Sequence, residues 1–354
     1  MLSVIFIYTA YLLFGFGAMY YLFAPKIKLF EKTLDISVSM LPFLYIWGFT
    51  ALGMISGYFI SNNYDFVDSL TWTRILIPLG LSMVIYFAYI FLRPMLYRIL
   101  IGVCVAVIIW LQHIESVSSL PGLPVWAIQL IIFVCATGFC LIAPVLNGVP
   151  HTFIVPSVAI LFGLSVMSII GAAPGYFAYC AAMIIGCLAA YLYLNFYTVK
   201  IEFDNPTCCA TAFLICNLLV MNSGEYGIMS CFVLTLIFWV EFIAALWRRY
   251  FVTSSGHLFE NTNYYWLATQ TSAQMTVASI LKICVVAMFL AWFQLFSVNE
   301  YSLSIVAFVI IYWLNGSIGN SPKKSLKQIN KEFVENLKQE IEATKKALQK
   351  KDKK

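Results

Sequence analysis

Six carboxylates, two histidines and three cations of this chain stand where apolar runs end, and these are the residue types from which a phosphate-handling site is built. Glu31, Asp35, Glu202, Asp204, Glu241 and Glu260 are the acids, His151 and His257 the imidazoles, and Lys200, Arg248 and Arg249 the cations. Basic side chains bind phosphate oxygens through charge-assisted hydrogen bonds, carboxylates hold a hard divalent cation, and imidazole moves protons near neutral pH. Converging on one face, they could hold a diphosphate-bearing substrate. The plainer reading of the same cations is that they only fix membrane topology, and spacing leaves both readings open. Asp65, Asp68, Glu115, Glu225 and Glu300 fall at the other ends of the runs, as does His113, which is read as structural.

The elements that must position these residues are membrane spans. Hydrophobic residues make up 62% of the 354 positions and charged residues 10%, which describes a polytopic membrane protein. Hydropathy resolves eleven spans: Leu2 to Phe23, Leu41 to Ser61, Ile75 to Leu92, Tyr97 to Leu111, Pro124 to Leu146, Phe153 to Ile170, Tyr176 to Phe196, Thr207 to Met221, Tyr226 to Trp247, Met275 to Phe296 and Tyr301 to Ile318. The expected fold is all-α, a bundle of about eleven transmembrane helices over residues 1–320, followed by a basic amphipathic helix over 321–354. The first span has no basic region before it and is read as an anchor rather than a cleaved signal.

Sorting cations by loop places Lys26, Lys28, Lys32, Arg93, Arg98, Lys200, Arg248, Arg249 and the lysines of the tail on one side, with Arg74 alone on the other. The positive-inside rule then puts the amino terminus outside and the carboxyl terminus in the cytoplasm, the parity that an odd number of spans requires. The net charge of +5 comes from the tail, so it points to no nucleic-acid partner. All ten cysteines fall in or beside apolar segments without metal-type pairing and are expected to be free packing thiols.

Beyond Pro322 the composition turns to Lys, Glu and Gln, and Leu326, Ile329, Phe333, Leu337, Ile341 and Leu348 make an apolar stripe broken by Thr344. Such a helix can lie on anionic lipid, or can join a second copy or a partner protein as a short coiled coil. It can also be a solvated helix that only satisfies topology.

From about Asn195 onward the chain resembles the polyprenyl-phosphate N-acetylhexosamine-1-phosphate transferases, the MraY/WecA type, integral-membrane enzymes that move a sugar phosphate from a UDP-sugar onto undecaprenyl phosphate. The run NFYTVKIEFDNPTCCATAFL is similar to the family stretch N-F-x-P-A-K-I-F-x-G-D-x-G-S-x-x-x-G, with Asn195, Phe196, Lys200 and Ile201 matching. Glu241 precedes the pair Arg248 and Arg249 at the family's spacing of acid and Arg-Arg. The run Gly256 to Glu260 resembles the histidine-rich loop that follows. Upstream the likeness is one of layout. The segment IYFAYIFLRPMLYR lies where the family has an Asp-Asp pair, and Asn147 to His151 lies where it has D-G-x-D-G.

The departures fall on the chemistry. Ala88 and Tyr89 occupy the Asp-Asp positions, Asn147 and Pro150 replace the aspartates of D-G-x-D-G, and Phe259 replaces a histidine. The ungapped match puts Asn205 on the next family aspartate, while a shift by one residue would put Asp204 there. The family reaction needs a divalent cation, Mg2+ or Mn2+, and a base for the lipid phosphate.

The resemblance therefore implies a diverged or inactive member acting in cell-envelope polysaccharide assembly in a bacterial inner membrane, with undecaprenyl phosphate and a UDP-sugar as candidate ligands. Lys200, Arg248 and Arg249 would attract phosphate. A second expectation is an active, diverged transferase using Asp204, Glu241 and His257 in catalysis, with Asp204 and Glu202 as metal ligands and Glu260 nearby. A third is a transporter or flippase, against which stands the absence of an inverted repeat or of a charged pair within a span.

Overall fold

The computed structural model describes residues 2–23, 40–61, 69–111, 124–147, 150–170, 176–197, 203–226, 228–253, 258–295 and 300–319. Among them run eleven long helices and one short one. They are α1 (Leu2–Phe23), α2 (Met40–Ser61), α3 (Ser69–Phe91), α4 (Pro94–Leu111), α5 (Val125–Leu146), α6 (Pro150–Ile170), α7 (Tyr176–Tyr197), α8 (Asn205–Tyr226), α9 (Ile228–Arg248), the short α10 (Asn263–Gln270), α11 (Ala273–Leu295) and α12 (Glu300–Gly319). The long helices coincide one for one with the expected spans. Among the described residues nine are long and apolar enough to cross a membrane, while the described apolar parts of α1 and α12 are shorter. The chain is an all-α, polytopic helix bundle of a multi-pass membrane protein. The tail helix expected over 321–354 lies outside the described residues.

Burial sorts the helices into a centre and a rim. The apolar window of α8 is 94% buried inside the bundle, whereas that of α5 is 33% buried; α8 is the axis of the fold and α5 faces lipid. Helices α6, α7 and α9 join α8 at the centre, and α2, α3, α4 and α11 lie at the rim. Centre helices must approach closely, and small residues allow it. A Cβ added at Gly186 of α7 would strike the α1 backbone at Leu12 and Phe16, and one at Gly15 would come within 2.6 Å of the Met183 carbonyl, so α1 and α7 pack backbone against backbone.

Two local features set the site. Helix α9 continues through a π-helical turn, Arg249–Thr253, which ends the α-helical register at Arg248. Helix α10 was not among the expected elements. It is eight residues long, and Thr262 caps it by accepting from Tyr265 N at 3.1 Å.

Candidate functional site

The axial helix α8 begins at the end of the bundle where α3 and α5 finish and α4 starts. Asp204 is its N-cap: the carboxylate Oδ1 accepts from Thr207 N at 2.9 Å, while the Asp204 carbonyl accepts from Cys208 N at 2.9 Å. A short acidic side chain satisfies an orphan N–H and meets the positive end of the helix dipole. One oxygen of Asp204 is thereby committed to the helix it starts.

Around this N-terminus three neutral polar side chains come together. Asn147, which ends α5, donates its amide to the Phe203 carbonyl at 2.6 Å and to Asn205 Oδ1 at 3.4 Å. The hydroxyl of Tyr89, from the end of α3, interacts with the Asn205 side chain. The Tyr89 ring stands edge-on to Tyr97 of α4 at 4.6 Å, and the Tyr97 hydroxyl donates to Cys209 Sγ of α8, so all four helix ends are tied together. Buried Asn147 Oδ1 has no hydrogen-bond partner.

Tyr89, Asn147 and Asn205 are the three side chains that make this cluster. They lie far apart in sequence and meet here as a phenol and two amides. Asn205, rather than Asp204, takes the place beside Asn147 and Tyr89. Among the described residues no three His, Cys, Asp or Glu side chains gather to hold a metal ion. The donor set of the cluster has the same defect: Mg2+ and Mn2+ are held by anionic oxygens, and a phenol, two amides and a capping carboxylate supply little negative charge. Among the described residues, those of this cluster do not fit the cation.

Glu241 lies elsewhere. Packed rings of Phe203, Phe153 and Phe238, with centroids 5.8 and 6.0 Å apart, lead from the residue before Asp204 to α9 one turn before Glu241. Glu241 is 0% exposed. Its Oε1 accepts from Tyr264 N at 2.9 Å, and its Oε2 accepts from Asn263 Nδ2 at 3.2 Å and from Asn315 Nδ2 at 2.5 Å. The carboxylate thus ties α9 to the start of α10 and to the end of α12, and the cost of burying it is offset by three donors.

Arg248 closes the same network. Its guanidinium donates to the Asn261 carbonyl at 3.0 Å and to Asn263 Oδ1. The Asn263 amide therefore bridges Arg248 and Glu241, seven residues apart on one face of α9. Tyr264 is buried beside them, and this burial, reinforced by the Glu241 charge, raises its phenol well above the ordinary value. It is a neutral ring that fills the junction.

Of the other expected site residues, Arg249 is exposed, Glu260 is exposed in the turn before α10, and Lys200, Glu202 and His257 lie outside the described residues. Structure brings Glu241 and Arg248 together and sets Asp204 at a different helix end. Asn263 and Asn315 escaped the sequence reading. For Asn315 the signal was a lone amide within the apolar α12, because a polar side chain inside a span needs a buried partner; Asn263, in the short α10, carried none. Comparison with models of known families and with curated proteins finds no match to this chain.

Proposed function

We propose that this protein is a membrane scaffold or regulator built on the plan of a polyprenyl-phosphate sugar-1-phosphate transferase, without the transfer chemistry, acting in cell-envelope polysaccharide assembly in a bacterial inner membrane. The observation that carries this reading is the meeting of Tyr89, Asn147 and Asn205 at the N-terminus of α8. Three sequence positions that align with family acids converge in space, which supports kinship in fold, and all three are neutral, which removes the cation-binding charge. Attack of a lipid phosphate on a UDP-sugar builds up negative charge between two phosphates, and that charge has to be offset. Amides at a helix N-terminus suit a binding role instead, since N–H groups there favour phosphate oxygens or sugar hydroxyls.

The orientation that fits is amino terminus outside and carboxyl terminus in the cytoplasm, with the amide cluster on the cytoplasmic side. Arg249, exposed at the end of α9, and Lys200 are the cations that would hold the phosphate of undecaprenyl phosphate. Arg248 serves the Glu241 network. The tail would recruit a partner protein or a second copy.

An active, diverged transferase is disfavoured by the state of its proposed acids. Glu241 is sealed from solvent by three donors, and Asp204 caps α8. Purified protein given undecaprenyl phosphate, Mg2+ or Mn2+ and a panel of UDP-N-acetylhexosamines should release no UMP. Release that disappears in Asp204→Ala would overturn the proposal.

A further inference from the structure

In the half of the bundle away from the amide cluster, α5, α8 and α9 leave a cavity of about 180 Å³. Ser223, on its wall, follows Asn205 by eighteen residues, roughly 27 Å along α8 at 1.5 Å per residue. The cavity therefore reaches towards the end of the bundle opposite the site described above.

Its walls are apolar side chains and the thiols Cys135, Cys216 and Cys231. The two hydroxyls on the wall are turned to their own helices: Ser223 Oγ donates to the Val220 carbonyl at 2.8 Å and Thr235 Oγ1 to the Phe232 carbonyl at 2.8 Å. Water needs several polar partners to occupy such a space, so water does not fill it. Ile131 is on the wall and is also 36% exposed on the outer face of α5, where Leu130 and Val134 are exposed within the span. The cavity thus continues into the surface that touches hydrocarbon.

We propose that this cavity takes one acyl chain of a bilayer phospholipid, drawn sideways between α5 and α9 from the leaflet opposite the amide cluster. An apolar void inside a bilayer loses dispersion contacts that a flexible chain restores. The wall offers the chain no charge and no free hydroxyl, so recognition is by shape and apolarity, and the headgroup stays at the membrane surface. The inference stands on the cavity alone and is independent of whether the protein transfers sugar phosphate.

The test uses the full chain in nanodiscs made with a phosphatidylcholine that carries a diazirine midway along one acyl chain. After illumination and digestion, adducts are mapped by mass spectrometry. Adducts are expected on Cys216 and Cys231, which are buried from annular lipid, and their yield should fall severalfold in Ala136→Phe and in Ser223→Leu, each of which fills the cavity. Leu130→Phe, on the lipid face outside the cavity, should leave the yield unchanged. Adducts confined to the lipid face at Leu130 and Val134, with none on Cys216 or Cys231, would overturn the proposal, as would undiminished yield in both folded filling variants. Where a filling variant does not fold, the distribution of adducts on the natural chain decides.

Discussion

Asn147 and Asn205 meet amide to amide, Nδ2 to Oδ1 at 3.4 Å, where the end of α5 reaches the start of α8. An aspartate at both positions would set two carboxylates face to face, an arrangement that calls for a cation between them or a proton shared by them. With amides the junction closes by itself. Neutral residues at this place are therefore compatible with a packed helix end that no metal is needed to hold.

Placing acids at both positions should create a demand for a cation. The double variant Asn147→Asp, Asn205→Asp is expected to bind Mn2+ measurably by electron paramagnetic resonance, and its melting temperature should rise when the ion is added. The natural chain should show neither effect. A double variant indifferent to Mn2+ would mean that these two positions do not face each other as described.

Asp204 is expected to behave as a cap. Asp204→Ala should lose about 1 kcal/mol of stability, while Asp204→Asn, which caps as well, should lose little. Thermal unfolding in detergent compares the two. Equal loss in both variants would mean that the charge, and not the hydrogen bond to Thr207 N, is what the position needs.

Glu241 and Asn315 should be coupled. Removing the donor in Asn315→Ala leaves a buried carboxylate short of one partner, a loss of about 1–3 kcal/mol, and Glu241→Gln should also destabilise. Because each acts through the other, a double-mutant cycle should return a coupling energy of roughly 0.5–3 kcal/mol. Additive losses would remove the hydrogen bond between α9 and α12.

How much of this was readable beforehand follows from length scale. All eleven long helices announce themselves as apolar runs, because a span must satisfy its backbone internally and face lipid. Helix α10 did not, since eight mixed residues between spans carry no such signal and its cap rests on Thr262 alone. The family resemblance named Tyr89, Asn147 and Asn205 as replaced positions. That they gather at one helix end depends on how α3, α5 and α8 pack, which no local pattern encodes. The burial of Glu241 was hidden for the same reason, as its partners Tyr264 and Asn315 come from elements 23 and 74 residues away.

Close packing of α1 on α7 gives a further expectation. Gly186→Val would force the α1 backbone away at Leu12 and Phe16, an overpacking cost of about 1–3 kcal/mol. The same change at Gly316, where a Cβ meets nothing within 4 Å, should be milder. Melting temperatures of the two variants in one detergent make the comparison, and equal shifts would contradict the backbone contact between α1 and α7.

Release of UMP by the purified, folded protein, with undecaprenyl phosphate, Mg2+ or Mn2+ and a panel of UDP-N-acetylhexosamines, bears most directly on the claim that the amide cluster binds without transferring. No release above a control without protein is expected. Release that follows protein concentration and is lost in Asp204→Ala would contradict it and make the cluster around α8 a rebuilt active site.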